Sequence, residues 1–311
     1  MSIVTDSTCD LPVPTLQRLS VTAVPFRVII GDEVYRDGRE IDPPTLYDWM
    51  SHQGVFPSVS PPDTEDFIEV YKNLLKHSDT IVSIHVSGKL SSTLECAREA
   101  VHSLGAEDRV HLIDSGATTA ALAEMVAGAA LHAQRGLNAE QVCWAAERIR
   151  DELHLLYSPA SLHWVNRESR LGKTLGLFAK FRRLRPIYTL RNGTVDTAMT
   201  CKQNGIIGGM IAQLKERFGQ RPIRVVIALA SSDSSIESAL KDRFLSAGLN
   251  LASLRFQLIG PALGVHLGPG SLAICAHPDV QLDPPTSNAV RTPFPSTTAE
   301  VPTALPSTFL G

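Results

Sequence analysis

Hydroxyl-bearing residues follow an apolar strand pattern in the segment IVSIHVSGKLSSTLEC, residues 81–96. Ser91 and Thr93 stand where a helix is predicted to begin, and the N–H groups of a first helical turn have no partners inside the helix. Because that end of a helix carries a partial positive charge, these groups could hold an anion such as a carboxylate. The alternative is that Ser91 only caps its helix.

Two distant segments supply polar groups that could complete such a site. Ser60 lies in PSVSPPD, residues 57–63, where three prolines predict an irregular, stiff loop that holds the hydroxyl in one direction. His266 lies within residues 260–270, whose four glycines and two prolines permit close backbone approach and an unusual path. An imidazole that can become cationic suits an anion. Taken singly, the first segment is typical of a connector, and the histidine is typical of a structural residue bonded to a carbonyl.

Two aspartates suggest a different chemistry. Asp6 and Asp114 each follow a predicted strand, where a hydrolase or phosphotransferase could use them. A phosphatase-type nucleophile would need a second acid two residues after Asp6, where Thr8 stands. No His, Asp and Glu cluster has the spacing of a metal site. We therefore expect a binding protein without a catalytic site or metal, keep the enzyme as the alternative, and expect Asp6 to cap a helix and brace a neighbouring loop.

Three predicted strands must position these groups. Each of them ends in a hydroxyl-bearing turn before a helix, and the three strands are Ile3-Val4, Ile81–Val86 and Val110–Ile113. The third turn carries Ser115. In an open parallel sheet such strand ends lie on one edge, which is where ligands bind.

The length of 311 residues exceeds one compact core, so we predict two domains. Residues 1–153 form an N-terminal α/β domain in which helices cover a parallel sheet. Residues 154–278 form a C-terminal α/β domain with a mixed or antiparallel sheet, helices on one face and a hairpin at Asn192-Gly193. Residues 279–311 are rich in Pro, Ser and Thr and are predicted to be a disordered tail.

Composition argues against several classes of protein. A net charge of -3 with one dense basic run, residues 180–185, argues against nucleic-acid binding. The longest small-apolar segment, residues 117–133, is interrupted by Glu124 and is too short to be an integral membrane segment. The chain does not open with a signal-peptide pattern. Five scattered cysteines favour a reducing cytoplasm.

Five blocks occur in one order along residues 1–278, and each is a weak signal alone: residues 3–12 (IVTDSTCDLP), 57–62 (PSVSPP), 90–93 (LSST), 113–115 (IDS) and 266–270 (HLGPG). Together they resemble the DegV family of bacterial fatty-acid-binding proteins. The resemblance implies two α/β domains with a long-chain fatty acid buried in a tunnel between them and no cofactor. It also implies that the bound acid is presented to a fatty acid kinase.

Carried over by motif, Ser60 and Ser91 would bond the carboxylate, with His266 close by and Thr93 and Ser115 supporting the same pocket. Arg170 and Lys202 would be kinase contacts. The chain departs from the family pattern at several of these places. Val59 stands where the family usually has Thr, Gly88 where it has Ser, and Ser92 where it has Gly. Residues 168–170 read Glu-Ser-Arg in place of Gly-Gly-Arg, and Lys202 replaces an arginine that helps to engage the kinase.

Overall fold

The structure, a computed structural model, describes residues 1–165 and 184–279. Its N-terminal strands are β1 (Ser2–Asp6), β2 (Val21–Val24), β3 (Arg27–Ile30), β4 (Glu33–Arg36), β5 (Ser58–Ser60), β6 (Ile81–His85) and β7 (Val110–Asp114). Its N-terminal helices are α1 (Val13–Leu19), α2 (Pro43–His52), α3 (Thr64–Leu74), α4 (Thr93–Leu104), α5 (Thr119–Gln134) and α6 (Ala139–Glu152).

Four strands form the predicted parallel sheet, in the order β2-β1-β6-β7. Successive strand residues point to opposite faces. Ile3 therefore packs with α5 and α6, and Val4 packs with α3 and α4. With both faces covered, every residue of β6 is buried. The carboxyl ends of β1, β6 and β7 lie side by side, which confirms the predicted placement of their turns.

A smaller antiparallel sheet, β4-β3-β5, corrects the prediction for residues 57–63. Instead of an irregular loop throughout, residues 58–60 form a short edge strand in which Val59 pairs with Val28 of β3. Pro57 and Pro61 flank the strand and none lies within it, so all three strand residues keep their N–H groups. The prolines therefore mark the two ends of the strand and do not prevent it from forming.

The C-terminal elements are β8 (His154–Ser158), α7 (Leu162–Val165), β9 (Leu184–Arg191), β10 (Thr194–Lys202), α8 (Ile206–Phe218), β11 (Ile223–Leu229), α9 (Ser234–Leu245), β12 (Leu251–Leu258), α10 (Pro261–Leu267) and β13 (Leu272–Pro278). Six strands form one sheet in the order β10-β9-β8-β13-β11-β12, in which only β11 and β12 pair in parallel. The fold is therefore α/β with a mixed second sheet, as predicted. The predicted boundary at 153/154 falls between α6 and β8.

The predicted hairpin joins β9 to β10. Asn192 and Gly193 have φ angles of 49° and 78°, the left-handed values that a type I′ turn requires at both positions. The segment around His266 differs from its prediction. It forms the seven-residue helix α10, with Pro261 in its first turn, where a missing N–H costs nothing.

Glu124, in the otherwise apolar α5, forms a buried contact with two residues of the mixed sheet. It is only 7% exposed, and it pairs with Arg255 of β12 and, at 3.0 Å, with Nε2 of His277 of β13. Burial raises the pKa of this carboxyl, but the His277 bond and the Arg255 charge outweigh it and hold the pKa below its usual value. No helix within residues 1–165 and 184–279 is long and apolar enough to cross a membrane.

Asp279 lies at the end of the described residues. Asp279, which we assigned to the tail, donates its N–H to the Pro222 carbonyl at 2.8 Å, and its carboxylate pairs with Arg224 at 2.6 Å. The first residue of the predicted tail therefore belongs to the folded part. Residues 280–311 lie outside the described residues.

Candidate functional site

A cavity of about 830 Å³ lies between the carboxyl edge of the parallel sheet and the mixed sheet. Its volume is in the range of small-molecule sites. Three predicted site residues, Ser60, Ser91 and His266, line it together. The lining also has a set of apolar side chains, namely Phe26, Val59, Val86, Leu90, Leu155, Tyr157, Leu190, Val195, Ala262, Leu263 and Leu267. A polar group of residues and a large apolar wall therefore share one space.

Ser60 reaches the cavity from the end of β5. Its hydroxyl is 3.3 Å from the carbonyl of Pro61, which is a weak hydrogen bond. Arg27 holds this turn, since it donates to the Pro61 carbonyl at 3.2 Å and pairs with Asp63 and Asp66 at 2.8 and 2.6 Å. The turn is therefore fixed, while the Ser60 hydroxyl makes only a weak hydrogen bond.

Ser91 comes from the turn before α4. Its Oγ lies 2.8 Å from Oγ1 of Thr93 and accepts the Thr93 N–H at 3.3 Å. Thr93 is buried and supports Ser91 without lining the cavity itself. The N-cap residue of α4 is Ser92, not Ser91, and its side chain makes no capping hydrogen bond. The Ser91 hydroxyl accepts the N–H of the first helical residue, and Ser91 lines the cavity, so this bond is compatible with the anion-site interpretation.

His266 is carried by α10, whose N-terminus is held by a carboxylate that we did not predict. Asp37 Oδ2 accepts the Ala262 N–H at 3.3 Å and the Ser7 hydroxyl at 2.8 Å. Ser7 in turn accepts the Phe26 N–H at 2.9 Å. Burial raises the pKa of Asp37 to about 7. Asp37 lies 225 residues before Ala262 in the chain, and no local sequence pattern signals that contact.

Asp10 is a second buried carboxylate beside α10. It accepts the Thr119 hydroxyl at 2.5 Å and lies against Gly260, where any side chain would collide with it. Burial raises the pKa of Asp10 well above its usual value. Tyr47 adds a third contact at this end, because its hydroxyl donates to the Ile259 carbonyl at 2.6 Å. These contacts fix the position from which α10 presents His266.

Ser115 does not line the cavity. It is buried, and its hydroxyl bonds to its own turn, donating to the Ala117 carbonyl at 3.1 Å and accepting the Ala117 N–H at 3.0 Å. Lys202 is exposed at the end of β10, and Arg170 lies outside the described residues. Ser92 lines the cavity and adds a hydroxyl, whereas Val59 contributes an apolar surface where the family pattern has a hydroxyl.

The two aspartates of the enzyme alternative brace turns. Asp6 is fully buried, accepts the Thr8 hydroxyl and N–H on one oxygen, and accepts the Val86 N–H at 2.9 Å on the other. Its second oxygen also lies 3.0 Å from Nδ1 of His85. Asp114 accepts the Gly116 N–H at 2.8 Å. Among the residues that the structure describes, no three His, Cys, Asp or Glu side chains form a possible metal site.

Comparison with known proteins gives consistent matches. Residues 1–279 match the sequence model of a family described as "Uncharacterised protein, DegV family". A DegV domain-containing protein of Streptomyces coelicolor is 30% identical over 280 residues, which cover 88% of this chain and 97% of that protein. One of Deinococcus radiodurans is 27% identical over 278 residues, covering 89% and 98%. A solved structure described as "Fatty Acid Binding of a DegV family Protein from Thermus thermophilus" superposes with a TM-score of 0.81 at 30% identity, covering 89% and 99%.

Proposed function

The chain belongs to the DegV family, and from this premise we propose that it binds a long-chain fatty acid in the cavity between its two sheets. The observation that carries the proposal is the composition of the cavity wall. Ser60, Ser91 and His266 supply hydrogen-bonding groups. The other polar lining residues are Thr8, Lys89, Ser92, Glu95, Thr118 and Thr119, and the rest of the wall is mainly apolar. The similar protein of Thermus thermophilus, which is described as binding fatty acid, supports the same conclusion.

The carboxylate of the ligand would lie against the polar residues. Two hydroxyls and an imidazole can donate to its oxygens, and hydrogen bonds to a charged acceptor are stronger than neutral ones. The acyl chain would extend along Leu155, Tyr157, Leu190 and Val195. At about 0.8 kcal/mol per buried methylene, a chain of about 14 methylenes would gain roughly 11 kcal/mol before ordering costs. Burial of the tail would therefore supply most of the affinity, and the polar residues would fix its orientation.

Both predicted domains contribute to this cavity, so the acyl chain would lie in a tunnel between them. Ser60 and Ser91 precede the 153/154 boundary, and the apolar residues of β8 to β10 follow it. The division into residues 1–153 and 154–278 is part of the proposal.

We also propose that the protein presents the ligand's carboxylate to a fatty acid kinase. The turn that carries Ser91 also contains the exposed residues Gly88, Lys89 and Ser92, so the carboxylate end would face the solvent side of the cavity. The exposed Lys202 would be available to such a partner. A cytoplasmic location accords with the five cysteines, all of which are free.

A hydrolase or phosphotransferase has less support. The carboxylates of Asp6 and Asp114 accept hydrogen bonds from the backbone of neighbouring turns, and Asp6 has no exposed surface. Neither residue lines the cavity. A nucleophile needs access to its substrate, which the position of Asp6 does not give.

Solvent extraction of the purified protein, followed by mass spectrometry, tests the proposal directly. We expect a fatty acid in near-stoichiometric amount, and displacement of a fluorescent fatty acid by unlabelled acid. Replacing Ser91 and His266 together by Ala should weaken binding at least tenfold, since two donors to the carboxylate are lost. Ser115→Ala is the matched control and should bind normally. Absence of both extracted acid and probe binding would overturn the proposal.

A further inference from the structure

Ser87 connects two walls of the cavity that are far apart in the chain. It follows β6 and is completely buried. Its hydroxyl donates to the carbonyl of Gly193 at 2.8 Å. Gly193 lies at the tip of the β9–β10 hairpin, so this buried hydrogen bond joins the edge of the parallel sheet to the end of the hairpin.

The contact at the hairpin tip is close enough to require glycine. A Cβ atom on Gly193 would lie 2.5 Å from Oγ of Ser87 and 3.6 Å from Cα of Gly116. Gly193 also has a φ of 78°, which other residues adopt only with strain. The tip therefore rests directly on the turns that follow β6 and β7.

Ser87 also orders the turn that presents Ser91. Its carbonyl accepts the N–H groups of Leu90 and Ser91 at 2.9 and 3.1 Å. Its hydroxyl accepts the N–H of Lys89 at 3.3 Å, and its own N–H donates to Ala117 at 2.9 Å. A single side chain thus bonds both to the polar turn and to the hairpin.

The hairpin strands supply part of the apolar wall, because Leu190 lies before the tip and Val195 after it, and both line the cavity. We propose that Ser87 is a positioning residue that holds the hairpin wall against the turn carrying Ser91 and thereby retains the acyl chain. This inference rests on the proposed function. Loss of the Ser87 hydroxyl would let the hairpin tip separate from the sheet edge, which opens a route for the ligand to leave.

The test compares Ser87→Ala with Ser158→Ala. Ser158 is also buried and donates to a carbonyl of β9, that of Pro186 at 3.0 Å, but its bond lies within the mixed sheet and away from the cavity. In ligand-free protein, Ser87→Ala should increase amide hydrogen exchange in residues 190–195, and Ser158→Ala should not. With a fluorescent fatty acid bound, Ser87→Ala should raise the dissociation rate about three- to tenfold, as loss of one buried hydrogen bond predicts.

Gly193→Ala disturbs the same contact from the hairpin side. It should also increase amide hydrogen exchange in residues 190–195 and raise the dissociation rate of the fluorescent fatty acid. Unchanged exchange at the tip in Ser87→Ala, or equal effects of Ser87→Ala and Ser158→Ala, would overturn the inference. Faster exchange with an unchanged dissociation rate would overturn the role in ligand retention. If the wild-type protein binds no fatty acid, the proposed function fails, while faster exchange in Ser87→Ala would still support the docking of the hairpin by Ser87.

Discussion

The substitution Gly264→Ala tests how tightly α10 is packed. In a helix interior this change usually stabilises a protein by up to about 1 kcal/mol, because alanine has the higher helix propensity. Here a Cβ atom on Gly264 would lie 2.8 and 2.9 Å from two ring carbons of Tyr47 and closer still to its hydroxyl. We therefore expect the substitution to destabilise the protein.

The size of the effect follows from three contributions. Inserting a methyl group into a well-packed contact costs about 1–3 kcal/mol. If the Tyr47 ring moves away, its hydrogen bond to the Ile259 carbonyl is lost, which costs about another 1 kcal/mol. The gain in helix propensity offsets at most about 1 kcal/mol. The net expectation is a loss of about 2 kcal/mol in the free energy of unfolding.

Gly208→Ala provides a matched control. Gly208 lies in α8, and its added Cβ would meet only a guanidinium nitrogen of Arg243 at 3.6 Å, an ordinary contact. That substitution should be neutral or stabilise the protein by up to about 1 kcal/mol. Urea denaturation with an unchanged m-value measures both free energies. Stabilisation of similar size by both substitutions would refute the packing described for Gly264 and Tyr47.

Two further predictions concern buried titratable groups. The pKa of Asp37 is about 7 in the folded chain and about 3.8 unfolded, so the folded protein binds more protons in that range and its stability falls as pH rises through it. Urea titrations of wild type and Asp37→Asn give the difference between their free energies of unfolding, wild type minus variant. This difference should fall by on the order of 2 kcal/mol from pH 5 to pH 8. A difference that stays constant or rises would contradict this prediction. Burial raises the thiol pKa of Cys9 and Cys275. A thiol reagent should therefore label the three less buried cysteines first in the native protein, with the sites mapped by mass spectrometry. Early labelling of Cys9 or Cys275 would contradict this prediction.

The parts of the fold that the sequence predicted are those determined by local patterns. The buried strand at Ile81–His85 and the Asn192-Gly193 turn depend on neighbouring residues alone, and both occur as predicted. Repetition of strand, turn and helix was sufficient to predict the parallel sheet and to bring Ser91 to its edge. These signals are strong because each is decided within about ten residues.

Long-range contacts explain what the sequence did not predict. The strand at Ser58–Ser60 exists because β3 provides a pairing partner, and the helix around His266 exists because Asp37 and Tyr47 support its beginning. Ser115 was expected at the pocket because its turn is at the correct sheet edge, but its hydroxyl bonds to its own turn. Which edge a side chain reaches can be read from the pattern, and which way it points there depends on its neighbours.

Glu124 interrupts a run of small apolar residues, and its side chain contacts Arg255 and His277 of the C-terminal half. Were the chain divided after residue 153, one fragment would keep the Glu124 carboxylate on an apolar helix face, and the other would keep Arg255 and His277 without their carboxylate partner. The first fragment would also expose Ala120 and Ala121, which pack against the mixed sheet, so the two halves stabilise each other at this contact. The contacts of Glu124 therefore join α5 firmly to the mixed sheet.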